Sequence, residues 1–348
     1  MLGPGSLGLL GWPSPGSSPP SHSRYHIAMR VLITGITGFV GTHLAEHLLA
    51  RGGVAEVFGL VRWRSSRDDL EPLLPLLRLV EGDLRDAASL LRALQAARPE
   101  VIYHLAASSS VAGSWTTPAE IVETNAMGTL HLLEALRQLD LDATVVLACS
   151  AEPYGVVKDA ELPLVEDRPL RPVSPYGVSK AAVDLFAYQY FQSYGLRTVR
   201  LRLFNHCGPR QPEHFVVSSL ARQIVEIERE ARPPRLLVGN LEARRDFIDV
   251  RDAVVAYRLA AERGRAGEVY NVCSGHGRSI RAVLDELLSL TEAVVEVECD
   301  AARLRPAEIP VLVGDPSRCQ RDLGWRPTIA FRQTLLDTLE YWRRRLAS

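Results

Sequence analysis

Lysine is almost missing from this chain: Lys158 and Lys180 stand alone against 38 arginines. Codon bias can produce such a skew. It still singles out both ammonium groups, because a guanidinium cannot replace a compact, tunable amine. Net charge is missing too, since 40 basic and 41 acidic residues leave a formal −1. No global field therefore draws the chain to nucleic acid or to an anionic membrane. No apolar run approaches the roughly 20 residues that cross a bilayer. The five cysteines, Cys149, Cys207, Cys273, Cys299 and Cys319, are scattered, odd in number and free of C-x-x-C pairs. Neither a disulfide framework nor a metal site is expected, and a reducing cytoplasm suits them.

What is present is ordinary globular composition, 47% hydrophobic and 23% charged over 348 residues, enough for a sizeable core. Residues 1–28 are dense in Gly, Pro and Ser and lack the basic start and unbroken apolar stretch of a signal peptide. They are expected to be a disordered extension, and Met29, directly before the first strand, could itself be the start. From Met29, β-branched runs alternate with helical patterns: MRVLITG, EVFGLVR, LRLVEGD, EVIYHLA, ATVVLACS and TVRLRLF, with helices at His43–Ala50, Ala87–Ala97, Pro118–Leu139 and Pro175–Tyr194. Near-continuous apolar strands between helices predict a doubly wound parallel sheet, an α/β Rossmann domain over 29–204. Residues 205–348 read as a smaller α/β substrate-binding lobe with elements contributing back to that sheet.

The first strand runs into Gly35-Ile36-Thr37-Gly38-Phe39-Val40-Gly41. In that setting the glycines permit the tight turn, the approach of backbone N–H groups to a pyrophosphate, and close helix packing. A dinucleotide site built on Gly35, Thr37, Gly38, Phe39, Val40 and Gly41 follows. The second strand ends in Arg62-Trp63-Arg64 with no carboxylate at its tip. Arg62 and Arg64 suit a 2′-phosphate, so NADP(H) is expected rather than NAD. Asp83, followed by Leu84, is either an acceptor for the adenine amino group or a cap for the next helix.

Two tyrosines precede a lysine by four residues. Tyr154 and Lys158 flank Gly155 and two valines, a poor helical context. Tyr176 and Lys180 follow a Ser174-Pro175 helix start and lead into a long helical run. The second pair is therefore expected on one helix face, one turn apart, with the ammonium lowering the phenol's pKa. Tyr176 becomes a usable acid or base. Ser150 ends the fifth strand, where such folds open their ligand crevice.

The glycine loop, Asp83, Leu105-Ala106-Ala107, Ser150 and Tyr176-x-x-x-Lys180 together resemble the extended short-chain dehydrogenase/reductase family, over Met29 to about Arg345. The second half resembles enzymes of GDP-mannose metabolism. It does so through Phe204-Asn205-His206, Pro209, Phe215-Val216, Val238 to Ala243, Arg245-Asp246-Phe247, Asn271 to Gly275, and Leu304 to Glu308. The resemblance implies Leu105, Ala106 and Ala107 along the cofactor and Ser109 and Ser114 near the hexose. It also implies Asn205, Val216, Asn240, Arg245, Arg305 and Glu308 around GDP. Two activities share the pattern: GDP-mannose 4,6-dehydratase, and the NADPH-dependent reductase of its GDP-4-keto-6-deoxy product, which yields GDP-D-rhamnose. FNHCGPRQ and Phe215-Val216-Val217-Ser218-Ser219 resemble the reductase. Glu152 stands where a dehydratase would keep its base and leaves that activity open. An NAD-linked UDP-sugar epimerase and a non-catalytic NADP-binding regulator are the further alternatives. The helix from Pro175 is apolar around most of its circumference, so a second buried face is expected. Pairing with Pro118–Leu139 across a two-fold axis would give a homodimer, as in many family members.

Overall fold

The computed structural model describes residues 29–304 and 306–347. The expectations for residues 1–28 and for Arg305 lie outside the described residues. Strands β1 (Met29–Thr34), β2 (Val54–Val61), β3 (Leu77–Glu81), β4 (Val101–His104), β5 (Thr144–Ser150) and β6 (Thr198–Leu203) follow the six apolar runs. After them come β7 (Asn205–Cys207), β8 (Arg235–Val238), β9 (Arg244–Asp249), β10 (Val269–Val272), β11 (Gly277–Ser279), β12 (Glu296–Cys299) and β13 (Val311–Leu312). The main sheet has seven parallel strands in the order β10-β6-β5-β4-β1-β2-β3. Its outer strand β10 comes from beyond residue 204. The reversal between β1 and β4 is the switch point at which such sheets open a crevice.

Helices α1 (Phe39–Arg51), α2 (Ala87–Ala97), α3 (Pro118–Val122), α4 (Gly128–Gln138) and α5 (Pro175–Tyr194) connect the first six strands. Adjacent residues of β1 serve opposite faces. Val31 and Ile33 pack with Leu44, Tyr257 and Trp325, whereas Leu32 packs with Leu94, Leu132, Val145 and Val183. That is why the strand reads apolar without a break from Val31 to Ile33. A third core joins α6 (Val216–Glu228), α8 (Ile280–Leu288) and α10 (Phe331–Arg345) around Leu220, Ile224, Val283, Leu335 and Trp342. Helix α7 (Val250–Arg263) packs on α1, and α9 (Ser317–Leu323) packs on α7.

Two expectations are corrected. The helix Pro118–Leu139 is not continuous: a π-helical turn, Glu123–Met127, separates α3 from α4. β6 is not purely apolar either. It buries Arg200 and Arg202 against Asp184 of α5, with Nη1 of Arg200 and Nε of Arg202 at 2.7 and 2.8 Å from its two carboxylate oxygens.

Candidate functional site

Register brings the chemistry to one edge of the sheet. Thr34 pairs with His104, and Ser150 with Leu203, so β1 ends level with β4 and β5 level with β6, the latter pair running three residues further at the same edge. Their ends open into a cavity of about 580 Å³. The phosphate loop enters it by two tight approaches. Gly35 has φ +73°, and a Cβ there would fall 2.8 Å from the Ala106 backbone; a Cβ on Gly41 would fall 2.2 Å from the Gly35 carbonyl. No side chain fits either place, and Gly38 to Gly41 at the start of α1 line the cavity with no side chain capping the helix, an arrangement suited to a diphosphate.

Helix α5 begins as its sequence suggested. Ser174 caps it by accepting from the Gly177 N–H at 3.0 Å, with Pro175 in the first turn. This start sets Tyr176 and Lys180 on the cavity wall, facing Ser150 at the end of β5. Tyr176 and Ser150 are hydrogen-bonded; burial pushes the phenol up, this bond draws it down, and the charge of Glu152 adds to the rise. Lys180 is also buried, which lowers its ammonium to about 8. Its Nζ donates to the Ala148 carbonyl at 2.8 Å. The expected depression of the phenol by the ammonium is therefore not seen in this geometry: burial dominates, and the lowering comes from the Ser150 hydrogen bond, not from Lys180.

The other candidates divide cleanly. Gly35, Thr37, Gly38, Phe39, Val40, Gly41, Arg62, Asp83, Leu84, Leu105, Ala106, Ala107, Ser109, Glu152, Asn205 and Val216 all line the same cavity. Asp83 is not the helix cap; Asp86 is, accepting from Ala88 and Ser89, while Asp83 accepts from the Arg85 N–H at 3.0 Å. Arg64, Ser114, Asn240, Arg245 and Glu308 are not among the lining residues. Arg64 is exposed at the turn, and Ser114 is fully buried with its hydroxyl on the Val111 carbonyl at 2.7 Å. Asn240 donates to Glu308 at 2.7 Å, and Arg245 lies 3.8 Å from the same carboxylate. These three form a polar cluster of their own.

Tyr154 is buried inside the protein, where its hydroxyl donates to Asn271 Oδ1 at 2.7 Å and accepts from Arg202 at 2.9 Å. Lys158 is exposed. The wall also contains residues the sequence reading did not select: Ser65, Glu120, Thr124, His206, Gln211 and Tyr257. Ser65 carried a signal, since it follows the two arginines in the same turn. Tyr257 carried none, because it comes from α7, more than fifty residues downstream of the last strand that opens the cavity.

Comparison with known proteins follows the same lines. The sequence model of one family, GDP-mannose 4,6 dehydratase, matches residues 32–338. The chain is 34% identical over 320 residues to GDP-6-deoxy-D-mannose reductase of Pseudomonas aeruginosa, covering 92% of this chain and 99% of that one. It is 33% identical to GDP-mannose 4,6-dehydratase of Vibrio cholerae, covering 87% and 91%. Among solved structures, RMD from Pseudomonas aeruginosa complexed with NADPH superposes with a TM-score of 0.79 at 33% identity, covering 92% of this chain and all of that one. The UDP-glucose 4-epimerase of Thermotoga maritima with UDP-glucose reaches 0.82 at 29% identity, covering 91% and 100%.

Proposed function

We propose, for a chain that belongs to the GDP-mannose 4,6-dehydratase family, that it reduces the C4 carbonyl of a GDP-4-keto-6-deoxy-hexose with NADPH, giving GDP-D-rhamnose. It is a pyridine-nucleotide enzyme of the Rossmann class. One observation carries the two-ligand part of the reading: two helix N-termini converge on one cavity. Gly38–Gly41 at the start of α1 and Phe215–Val217 at the start of α6 both line it, with Ser150 and Tyr176 on its wall. Each N-terminus suits a diphosphate, one belonging to the dinucleotide and the other to a nucleotide-linked sugar.

When bound, the reduced nicotinamide supplies the hydride. The residues of the chain do the rest. Ser150 and Tyr176 donate hydrogen bonds to the developing alkoxide at C4, and Tyr176 gives up its phenolic proton to that oxygen. Lys180 would offer its ammonium to the nicotinamide ribose. Arg62, at the end of β2, would meet a 2′-phosphate with a charge-assisted fork. Asn205 and Val216 would hold the sugar-nucleotide diphosphate, and Ser109 would lie near the hexose. The match to the Pseudomonas reductase over 99% of its length supports reduction over dehydration.

Dehydration remains a second reading because of one residue. Glu152 lines the cavity, and its charge is felt by Tyr176, so a base for the C5 proton is available. The two readings differ in stoichiometry. A reductase consumes one NADPH per turnover, whereas a dehydratase returns the hydride to C6 and leaves the cofactor unchanged. The 4-keto-6-deoxy substrate should drive stoichiometric NADPH oxidation, and Glu152→Gln should keep most of that rate. Conversion of GDP-mannose without net cofactor change, abolished by Glu152→Gln, would establish the dehydratase instead.

A further inference from the structure

His43 lies in the first turns of α1 and is buried. Its Nδ1 is 2.7 Å from Arg210 Nη2, and its Nε2 is 3.0 Å from the Pro209 carbonyl. A guanidinium can only donate and a carbonyl can only accept, so Nδ1 is bare and Nε2 carries the hydrogen. The ring is neutral, in keeping with a pKa that burial and then Arg210 lower to about 4. The same guanidinium forks onto Glu46 of α1, at 2.7 and 2.6 Å. Alongside, Phe39 at the head of α1 stacks on His206, with centroids 6.0 Å apart and planes 7° apart.

Arg210 has φ +70°, a region that a residue with a side chain normally avoids and holds only where its surroundings enforce it. The chain then runs directly into the cavity wall. Gln211, Pro212, Phe215 and Val216 line it. Gln211 is itself fixed, donating to the His206 carbonyl at 2.8 Å and accepting at its own carbonyl from Ser218 at 2.6 Å. Helix α1 thus touches the cofactor seat with its N-terminus and grips the other seat's loop with its next turns.

We propose that Arg210 is a positioning residue: through His43 and Glu46 it ties the segment 205–216, from β7 to the start of α6, to the cofactor helix, so that cofactor and sugar nucleotide bind with positive coupling. Neither the phosphate loop nor the catalytic residues need touch the second ligand for this to happen. The inference deepens the two-ligand reading above and rests on it for the identity of the second ligand.

The test uses the full chain and three variants. Glu46→Gln alters a partly exposed carboxylate and leaves the packing in place, Arg210→Gly removes the fork while permitting the positive φ, and Arg210→Lys keeps the charge without the fork. In hydrogen exchange, NADPH alone should slow amides of 205–216 several-fold in the parent chain. That protection should vanish in Glu46→Gln and Arg210→Gly while protection of 35–41 persists, with Arg210→Lys intermediate. In calorimetry, saturating NADPH should tighten GDP binding by a factor of about 5–150, the usual span of coupled sites, and GDP should tighten NADPH equally. In Glu46→Gln and Arg210→Gly both factors should fall towards one. The proposal is overturned if NADPH protects 35–41 but leaves 205–216 unchanged in the parent chain, or if those two variants retain the full factor. Failure of GDP to bind at all would sink the sugar-nucleotide reading, and the exchange result would still decide the clamp.

Discussion

Replacing Tyr154 by phenylalanine should cost stability and spare the chemistry, whereas the same change at Tyr176 should do the reverse. The Tyr154 hydroxyl sits in a fully buried network, 1% exposed. It donates to Asn271 Oδ1 and accepts from Arg202 Nη1, at 2.7 and 2.9 Å. Its removal leaves a buried amide oxygen without that donor, at about 1–3 kcal/mol. The arginine loses less, because Nη1 still reaches the Glu166 carbonyl at 2.7 Å. The total is about 2–4 kcal/mol, or a fall in Tm of roughly 4–8 °C at about 2 °C per kcal/mol for a chain of this size. The Tyr176 hydroxyl instead faces the cavity beside Ser150, where water can replace it. Its loss should lower stability by less than about 1 kcal/mol and turnover by about 10²–10⁴-fold, the usual contribution of a proton-transferring side chain. Thermal unfolding followed by circular dichroism, and initial rates of NADPH oxidation, measure both. If Tyr154→Phe kept the parental Tm and lost turnover, the assignment of the two tyrosines would have to be exchanged.

Arg62→Ala should weaken NADPH binding by about 1.5–3 kcal/mol through loss of a charge-assisted contact and leave NADH nearly unchanged. Arg64→Ala should do little to either, because Arg64 does not line the cavity; equal losses of both cofactors in titration would remove the 2′-phosphate role. Val178, Leu185 and Tyr188 of α5 and Val122 and Met127 of the neighbouring helix stand exposed, so light scattering at micromolar concentration should give a dimer mass that Leu185→Asp reduces to a monomer. A monomeric parent chain would refute this. His43 and His104 titrate at about 4 and about 3 in the folded chain, below the ordinary 6.5. Between those values the unfolded chain holds more protons, so the stability from keeping them neutral is complete above pH 6.5 and is lost as pH falls towards 4. For His43 this amounts to about 3 kcal/mol, and urea midpoints that stay flat from pH 7 to 4 would contradict it.

The main sheet was legible because parallel strands buried on both faces announce themselves as continuous apolar runs, and the helix from Pro175 because its cap and first-turn proline are local signals. The wall of the site was legible only where it is local. Gly35 to Gly41, Ser150, Tyr176 and Lys180 each lie at the junction of a strand or helix whose end the sequence marks. Gln211 and Tyr257 come to the cavity from loops and helices whose placement depends on long-range packing. The burial of Arg200 and Arg202 was not legible for a related reason: an arginine is buried only beside a buried partner, and Asp184 is brought there by α5, not by sequence proximity.

The direction of hydrogen bonds is the property least visible in a sequence, and around β4 it is fully determined. Thr129 Oγ1 donates to the Asn125 carbonyl at 2.7 Å, so it must accept from His104 Nε2 at 3.0 Å. His104 Nδ1 is then bare and accepts from Thr34 Oγ1 at 2.9 Å, while Thr34 Oγ1 accepts from the Ala106 N–H at 3.1 Å. Asn125, within the π-helical turn, holds both backbone groups of Ser108, at 2.8 and 3.0 Å. It also donates to Ser179 Oγ at 2.9 Å, and that hydroxyl in turn donates to the Tyr176 carbonyl at 2.8 Å. No proton in this chain can be reversed without leaving two donors or two acceptors face to face. The phosphate-loop strand, the Leu105-Ala106-Ala107 wall, the loop carrying Ser109 and the turn carrying Tyr176 are thereby locked into one arrangement. The inserted residue of the π turn makes the lock possible: a regular helix through 118–138 would rotate Asn125 by roughly a quarter turn relative to α4 and break its three contacts. The irregularity that helical periodicity could not forecast is thus what holds the Leu105-Ala106-Ala107 wall and the helix carrying Tyr176 in register.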